Sequence, residues 1–184
     1  MTTATRTTAT TPSADITDYT VHAIAPEVLA GLRVADDLGR AMRPFADDEG
    51  GGPLRCCLRY SNPGEQIALV SYGPLHRWAT ATGADPGAYD ERGPIFIHAD
   101  ADDCEGPEPG GRYPLGMHGR RVFRAYDAAG HILRGELVEA APEGDPDAVL
   151  RSFFAEPEVA LVHVRALGHG CFVMEARRSA ATSD

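Results

Sequence analysis

The chain has 184 residues, of which 43% are hydrophobic, and it carries a formal net charge of -10 at pH 7. This length and composition are sufficient for one globular domain with its own core. The excess of acidic residues argues against a protein that binds the nucleic-acid backbone. No apolar run approaches the length of a membrane span and no signal region is evident, so we expect no membrane association and a cytoplasmic protein.

Composition divides the chain into three parts. Residues 1–18 are rich in Thr and Ala and predict a disordered tail. The patterned region, residues 19–178, predicts a single domain, and residues 179–184 predict a frayed C-terminus. Four cysteines occur without a C-x-x-C spacing, which predicts reduced, partly buried thiols in a cytosolic protein.

In the first half of the domain, the sequence pattern predicts a helix followed by a hairpin. Pro26 opens a short helix, since proline is favoured at the first helical position. Apolar and polar residues alternate over 54–60, which predicts a half-buried strand with Cys56 and Cys57 on opposite faces. A turn at 61–64 then leads to a second strand over 67–72.

The second half begins with a strand at 93–99 and continues with predicted strands at 120–126, 131–139, 159–165 and 171–177. Asp145 and Pro146 predict the N-cap and first residue of a helix with a buried aromatic stripe. Most successive strands are joined by short turns, so we predict the α+β class. The expected architecture is a largely antiparallel sheet of six or seven strands with two or three helices packed on it.

Arginine and histidine residues recur on the faces of these strands. If the strands are neighbours, His98 and His163 are expected to line a shared cavity with arginine, where guanidinium groups bind carboxylate or phosphate. The alternative is a solvated sheet face with arginines paired to acids, and a His98 that only caps its strand. The ligand-binding candidates are Arg55, Arg121, Arg165, Tyr126 and Cys171.

Two further chemistries use the same segments. Cys57 lies between two arginines, whose positive charge favours its thiolate. His98 or His163 could act as its base. The catalytic candidates are therefore Cys57, His98 and His163. The alternative is a cysteine that fills apolar space. The segment from His98 to Cys104 offers metal ligands, with His163 as an additional one, but it matches no known metal spacing. We therefore assign no metal site and leave the cofactor open.

Several segments resemble one family. They are PLRCCL (53–58), GPIFIHA (93–99) followed by Cys104, RAYD (124–127), and VHVR (162–165) followed by GCF (170–172). In this order and spacing they resemble the bacterial family called domain of unknown function 1203, over about residues 19–177, which is nearly the whole chain. The resemblance implies one bacterial domain of this size and no established activity.

Two functional hypotheses follow from the residues. In the first, the protein has a polar Arg/His pocket that binds a small anionic molecule. In the catalytic version of this hypothesis, the protein is an enzyme that uses acid–base or thiol chemistry. The second is a non-catalytic module that binds a protein partner or forms a homodimer. A pocket of converging Arg and His favours the first, and a flat exposed apolar patch favours the second.

Overall fold

The computed structural model describes residues 19–114, 116–117, 119–140 and 144–179. The predicted tail and all but the first residue of the predicted frayed C-terminus lie outside these ranges. Among the described residues, no helix has the length and apolar character that crossing a membrane requires.

The described residues form ten strands and three helices. In chain order these are β1 (Tyr19–His22), α1 (Pro26–Leu32), β2 (Pro44–Asp47), β3 (Pro53–Leu54), β4 (Arg59–Tyr60), β5 (Glu65–Tyr72), α2 (Pro74–Thr82), β6 (Gly93–His98), β7 (Gly119–Tyr126), β8 (Ile132–Ala140), α3 (Pro146–Phe154), β9 (Leu161–Ala166) and β10 (Phe172–Arg178). A single 3-10 turn, Gly87–Tyr89, precedes β6.

The strands form two five-stranded sheets. The first has the order β1-β10-β9-β7-β8 and the second has the order β2-β5-β6-β3-β4. Every neighbouring pair is antiparallel except β3 and β6, which run parallel. The predicted α+β class and largely antiparallel pairing are confirmed, although the strands number ten in two sheets rather than six or seven in one.

The additional strands are short and carry little or no alternating pattern. β2 is Pro-Phe-Ala-Asp, and none of its residues is fully buried. β1 contributes alternating buried residues over only four positions. Segments this short carry too little periodicity to be separated from loops by sequence, and only their pairing with longer strands defines them.

Each sheet has its own apolar core, and each core also contains a side chain from the other sheet or the turn next to it. Helix α3 packs with the first sheet, and α1 packs with the second. Leu58 follows β3 in the second sheet but packs in the first core, whereas Phe172 begins β10 in the first sheet and packs in the second core. Helix α2, which the sequence left unassigned, packs Leu75 and Trp78 in a third cluster. The two sheets are therefore joined by side chains from both directions.

Helix α3 has the predicted ends and the predicted buried face. The side chain of Asp145 accepts a hydrogen bond from the backbone N–H of Ala148 at 2.7 Å, and Pro146 is the first helical residue. Leu150, Phe153 and Phe154 are buried. Local capping chemistry and the helical spacing of apolar residues specify this element together.

The predicted continuous strand over 54–60 is wrong. Strand β3 ends at Leu54, a turn follows, and β4 begins at Arg59. The backbone N–H of Leu58 donates to the carbonyl of Leu54 at 3.1 Å, and Leu58 has a φ of 56°, in the left-handed region that non-glycine residues rarely adopt. A leucine gives no sequence signal for that conformation, so the alternating pattern was misleading here.

Candidate metal centre

The turn between β3 and β4 brings two adjacent cysteines to the same side of the chain. Cys56 and Cys57 lie within the hydrogen-bonded turn that Leu58 closes, and both are buried. Their sulfur atoms are 3.9 Å apart. The expectation that the two thiols face opposite sides of a strand was therefore wrong, because a turn replaces the strand.

Parallel pairing of β3 with β6 carries His98 to these thiols. Leu54 pairs with Phe96, and the next backbone N–H, that of Arg55, donates to the Phe96 carbonyl at 2.9 Å. The carboxyl ends of two parallel strands meet at the same sheet edge, so the residues that end them are neighbours. The Nδ1 atom of His98 lies 3.3 Å from the sulfur of Cys56 and 3.8 Å from that of Cys57.

Cys104 completes the cluster from the segment that follows β6. Its backbone N–H donates to the carbonyl of Ala101 at 3.1 Å, which turns the segment back toward the end of the strand. The three sulfur atoms and one ring nitrogen of Cys56, Cys57, His98 and Cys104 all lie within 4.8 Å of one another. The acidic residues of the same segment, Asp100, Asp102 and Asp103, are exposed and do not belong to the group.

Three of these separations are close to those in a tetrahedral zinc site, and the pairs that involve Cys104 lie within 4.8 Å. Bond lengths of about 2.3 Å to sulfur and about 2.0 Å to nitrogen place the ligand atoms of a tetrahedron roughly 3.5–3.8 Å apart. The three distances that involve Cys56, Cys57 and His98 are 3.3, 3.8 and 3.9 Å. A set of three cysteines and one histidine is one of the usual ligand sets of structural zinc.

Backbone N–H groups surround the sulfur atoms. The N–H of His98 donates to the sulfur of Cys56 at 3.3 Å. The N–H group of Arg59 also lies against the sulfur of Cys57 and helps to lower its pKa. The N–H group of Gly106 lies against the sulfur of Cys104 and opposes the rise in its pKa that burial causes. Because hydrogen bonds to the charged form favour it, each of the three thiols has a donor that stabilises its thiolate.

The balance of these effects differs among the thiols. The hydrogen bond from the thiol of Cys56 lowers the pKa of Cys57, while the same contact and burial raise the pKa of Cys56. Burial raises the pKa of Cys104. In the absence of a cation the cluster therefore favours one thiolate, on Cys57, because three thiolates so close together repel one another.

Glu65 and Arg59 form the outer layer around the imidazole. Arg59 forms two hydrogen bonds to the carboxylate of Glu65, at 2.9 and 2.8 Å, which lower the pKa of Glu65 to about 2. The Nε2 atom of His98 lies 3.5 Å from this carboxylate and 3.2 Å from the guanidinium of Arg59. Burial and the charge of Arg59 lower the pKa of His98, which favours the neutral form of its ring. Because a guanidinium only donates, the contact with Arg59 makes Nε2 an acceptor and places the ring proton on Nδ1. Ligation through Nδ1 would move this proton to Nε2, where the carboxylate of Glu65 can accept it, as in many metal-bound histidines.

His163, the second predicted histidine, belongs to a different site. It lies on β9 of the first sheet, whereas His98 ends β6 of the second. Its Nε2 atom is 3.2 Å from the carboxylate of Glu175, and its ring packs against Tyr126 and Phe172 with centroid distances of 4.8 and 5.2 Å. The two histidines thus have separate sets of partners, and these contacts do not form the shared cavity expected from the sequence.

The three predicted ligand-binding arginines are likewise spread over separate contacts. Arg55 is buried and donates to the carbonyls of Pro53 and Phe172, and burial lowers its pKa to about 10. Arg121 donates to the hydroxyl of Tyr60 at 3.1 Å and to the carbonyl of Met117. Arg55 thus connects the β3–β4 turn to β10, and Arg121 connects β7 to β4.

The remaining predicted residues lie on β7, on β9 and at the β9–β10 turn. Arg165 pairs with Glu91 at 2.6 Å and donates to the carbonyl of Gly170. Cys171 is half-buried, and its thiol lies 3.6 Å from the carbonyl of His169. Tyr126 is buried beside His163.

Of the predicted site residues, the structure therefore brings only Cys57 and His98 into this cluster, while Tyr126 and His163 contact each other elsewhere. Cys56 and Cys104, which complete the cluster, were not predicted as site residues. A signal for them existed, since Cys56 lies two residues after one strand and Cys104 lies six residues after the histidine that ends another. Using this signal required knowing that β3 and β6 are parallel neighbours in one sheet.

Comparison with known proteins yields one match. The family model described as "Protein of unknown function (DUF1203)" matches residues 51–178, more than half of the chain, and this range includes all four candidate ligands. No curated protein and no solved structure matches the chain. The match agrees with the resemblance seen in the sequence segments. The chain therefore belongs to the DUF1203 family of proteins of unknown function.

Proposed function

We propose that this protein is a metalloprotein that binds one soft divalent cation of the zinc class through Cys56, Cys57, His98 and Cys104. The observation that supports the proposal is the convergence of three sulfur atoms and one imidazole nitrogen within 4.8 Å. Thiolate and imidazole donors together select zinc-like cations over magnesium or calcium. The cation also removes the repulsion among the three thiolates, since its charge offsets theirs.

The cation would tie the segment after β6 to the paired ends of β3 and β6. Its ligands come from the β3–β4 turn, the end of β6 and the segment after β6. Between β6 and β7 the described residues contain no helix or strand, so a bond from Cys104 would fix this segment against the second sheet. Binding of a cation only to the folded state raises the stability of the protein by mass action.

Metal content tests the proposal directly. Protein purified without added chelator is expected to contain about one equivalent of zinc by inductively coupled plasma mass spectrometry. Cys57→Ala and His98→Ala should lower that content at least tenfold, because each removes one of the buried ligands. Cys171→Ala is the matched control, since this cysteine lies outside the cluster, and it should keep the metal. Equal metal content in all four proteins, or no metal in any, would reject the site.

Removal of the metal should also lower thermal stability. Protein treated with a chelator and then dialysed is expected to melt at a lower temperature than the zinc-loaded form, and one equivalent of zinc should restore the original value. The Cys57→Ala variant should show no response to zinc. A chelator-treated protein with an unchanged melting curve would show that the cluster does not hold a stabilising cation.

Thiol chemistry on a small anionic molecule is a second use of the same residues. In the metal-free protein the sulfur of Cys57 lies 3.8 Å from a neutral imidazole, the arrangement of a nucleophile and its base. Alkylation by iodoacetamide distinguishes the two functions. A thiol enzyme would be modified at Cys57 rapidly in the protein as purified, whereas a metal centre would protect the cysteine until a chelator is added. The reduced thiols of either form fit a cytoplasmic location.

Strand β8 supports the alternative of a homodimer. It is an edge strand of the first sheet, and its outer face exposes Leu133 (42%) and Leu137 (51%). Antiparallel pairing with a second copy centred on Gly135 would place Leu133 opposite Leu137 and Arg134 opposite Glu136. Light scattering coupled to size-exclusion chromatography tests this interface. Leu137→Lys should convert a dimer into a monomer, and a monomeric wild-type protein would reject the interface.

A further inference from the structure

The four candidate ligands differ in how firmly the fold holds them. Cys56, Cys57 and His98 are at most 5% exposed and belong to a hydrogen-bonded turn and a strand end. Cys104 is only half-buried and lies in the irregular segment between β6 and β7. Of the four bonds to a cation, the one from Cys104 would break with the least disturbance of the fold.

A cavity of about 430 Å³ adjoins the same part of the centre. Cys56 and Cys104 form part of its wall, while Cys57 and His98 do not. Most of the remaining wall is apolar and comes from residues 21–26, Leu29 and Pro107. A volume of this order accommodates a small organic molecule. A molecule in this cavity would approach the cation from the side of Cys104.

Arg33 contributes the cationic group of this cavity. It is the half-buried residue that ends α1, and its Nε atom donates to the carbonyl of His98 at 3.2 Å. Within the described part of the chain, Arg33 forms no ion pair with a carboxylate, although it lines the cavity. A guanidinium group presents a planar set of donors that fits a carboxylate.

We infer that Cys104 is an exchangeable ligand and that a small mercaptocarboxylate from the cavity replaces it on the cation. This inference rests on the proposed metal centre. The incoming thiol forms a sulfur–metal bond and transfers its proton to the sulfur of Cys104, whose bond to the metal breaks, so the charge and the number of thiolates are unchanged. A thiol is the appropriate donor because soft cations bound by thiolates prefer sulfur. The carboxylate of the ligand pairs with Arg33.

Cobalt(II) substitution combined with removal of the Cys104 thiolate makes the binding of an external thiol visible, because thiolate–cobalt charge-transfer bands report the number of bound sulfur atoms. The wild-type protein should show bands from three thiolates. Cys104→Ala should retain cobalt and lose about one third of the band intensity, since two of three thiolates remain. Mercaptoacetate added to this variant should restore the lost intensity. Cys104→Ser, which keeps the size and polarity of the side chain, is the second variant for use if the alanine variant does not fold.

Comparing the thiols that restore the cobalt band tests the role of Arg33. In Cys104→Ala, mercaptoacetate should bind at least tenfold more tightly than 2-mercaptoethanol, which has the thiol but no carboxylate, because a charge-assisted hydrogen bond contributes about that factor. Acetate, which lacks the thiol, should restore no band. In the double variant Cys104→Ala/Arg33→Met the tenfold preference should disappear.

The outcomes separate this inference from the metal centre itself. A wild-type protein that shows no cobalt–thiolate band would reject the centre. A wild-type protein that binds cobalt, with Cys104 variants that do not, would leave the centre in place and overturn the exchange. Equal binding of mercaptoacetate and 2-mercaptoethanol would overturn the assignment of the carboxylate to Arg33.

Discussion

Asp36 concentrates several hydrogen bonds on one buried carboxylate. Its oxygen atoms accept from the backbone N–H groups of Leu38, Arg40 and Ser71 and from the guanidinium of Arg40, at 2.8 to 3.2 Å. Burial alone would raise the pKa of Asp36, but these donors, those of Arg40 above all, lower it to about 2. The residue thus joins the turn after α1 to strand β5.

Asp36 should make the free energy of unfolding depend on pH in the acidic range. The folded-state pKa of about 2 lies below the ordinary value of 3.8, so the charged form stabilises the fold above about pH 4 and this contribution is lost as the pH falls toward 2. Asp36→Asn should lower the free energy of unfolding at pH 7 by about 1–3 kcal/mol, because buried donors lose a charged acceptor. Urea unfolding between pH 2 and pH 7 measures this difference, which should shrink below pH 4.

The exposed carboxylate of Asp48 offers a matched control for this experiment. Asp48 lies in the loop after β2, and Asp48→Asn should change the free energy of unfolding by less than about 0.5 kcal/mol at any of these pH values. A cost of Asp36→Asn that stays constant from pH 7 to pH 2 would contradict the linkage argument.

Residues in the candidate centre show why local patterns identified only half of it. Cys57 and His98 were predicted from their charged neighbours and from the end of a strand, both of which are local features. Cys56 joins them only because Leu58 adopts a left-handed conformation and ends a turn. The side chain of Leu58 is buried in the core of the other sheet, a tertiary contact that a local sequence pattern does not reveal.

Helix α3 is the element whose stability contribution is easiest to test. Phe153 has no exposed surface, packs beside Phe123 at a centroid distance of 6.5 Å, and lies beneath the guanidinium of Arg134. Phe153→Ala should lower the free energy of unfolding by about 3–5 kcal/mol, the usual cost of deleting a buried aromatic ring. Chemical denaturation monitored by circular dichroism provides the measurement.

Ser152 lies on the exposed face of the same helix and serves as the control. Its hydroxyl donates to the carbonyl of Val149 within the helix. Ser152→Ala should change the free energy of unfolding by less than about 0.5 kcal/mol. If the two substitutions cost the same, the assignment of the buried face of α3 would be wrong.

Elements with complete local signals were predicted, and elements defined by their partners were not. Helix α3 has an N-cap, a proline and an apolar stripe, while β7 and β8 alternate over eight or nine residues on either side of a short turn. By contrast, β3 and β4 have two residues each and exist because β6 pairs with β3. The parallel pairing that positions the candidate centre therefore had no local signal in the sequence.

At the scale of the whole molecule, Phe172 couples the two sheets. It begins β10 in the first sheet, but its ring packs in the second core, 5.5 Å from the ring of Tyr72. Its carbonyl accepts a hydrogen bond at 2.7 Å from Arg55, which follows β3 in the second sheet. Leu58 provides the reciprocal connection into the first core. We therefore expect the two sheets to unfold together.

The single tryptophan, Trp78, allows this cooperativity to be measured. At a fixed zinc concentration, urea unfolding followed by tryptophan fluorescence and by far-ultraviolet circular dichroism should give one coincident transition. Phe172→Ala should lower the free energy of unfolding by about 3–5 kcal/mol, because the ring is buried between the sheets. Leu167→Ala, at an exposed position in the β9–β10 connection, is the control and should cost less than about 0.5 kcal/mol. Two separate transitions in the wild-type protein would mean that each core is stable alone, and Phe172 would then not couple the sheets.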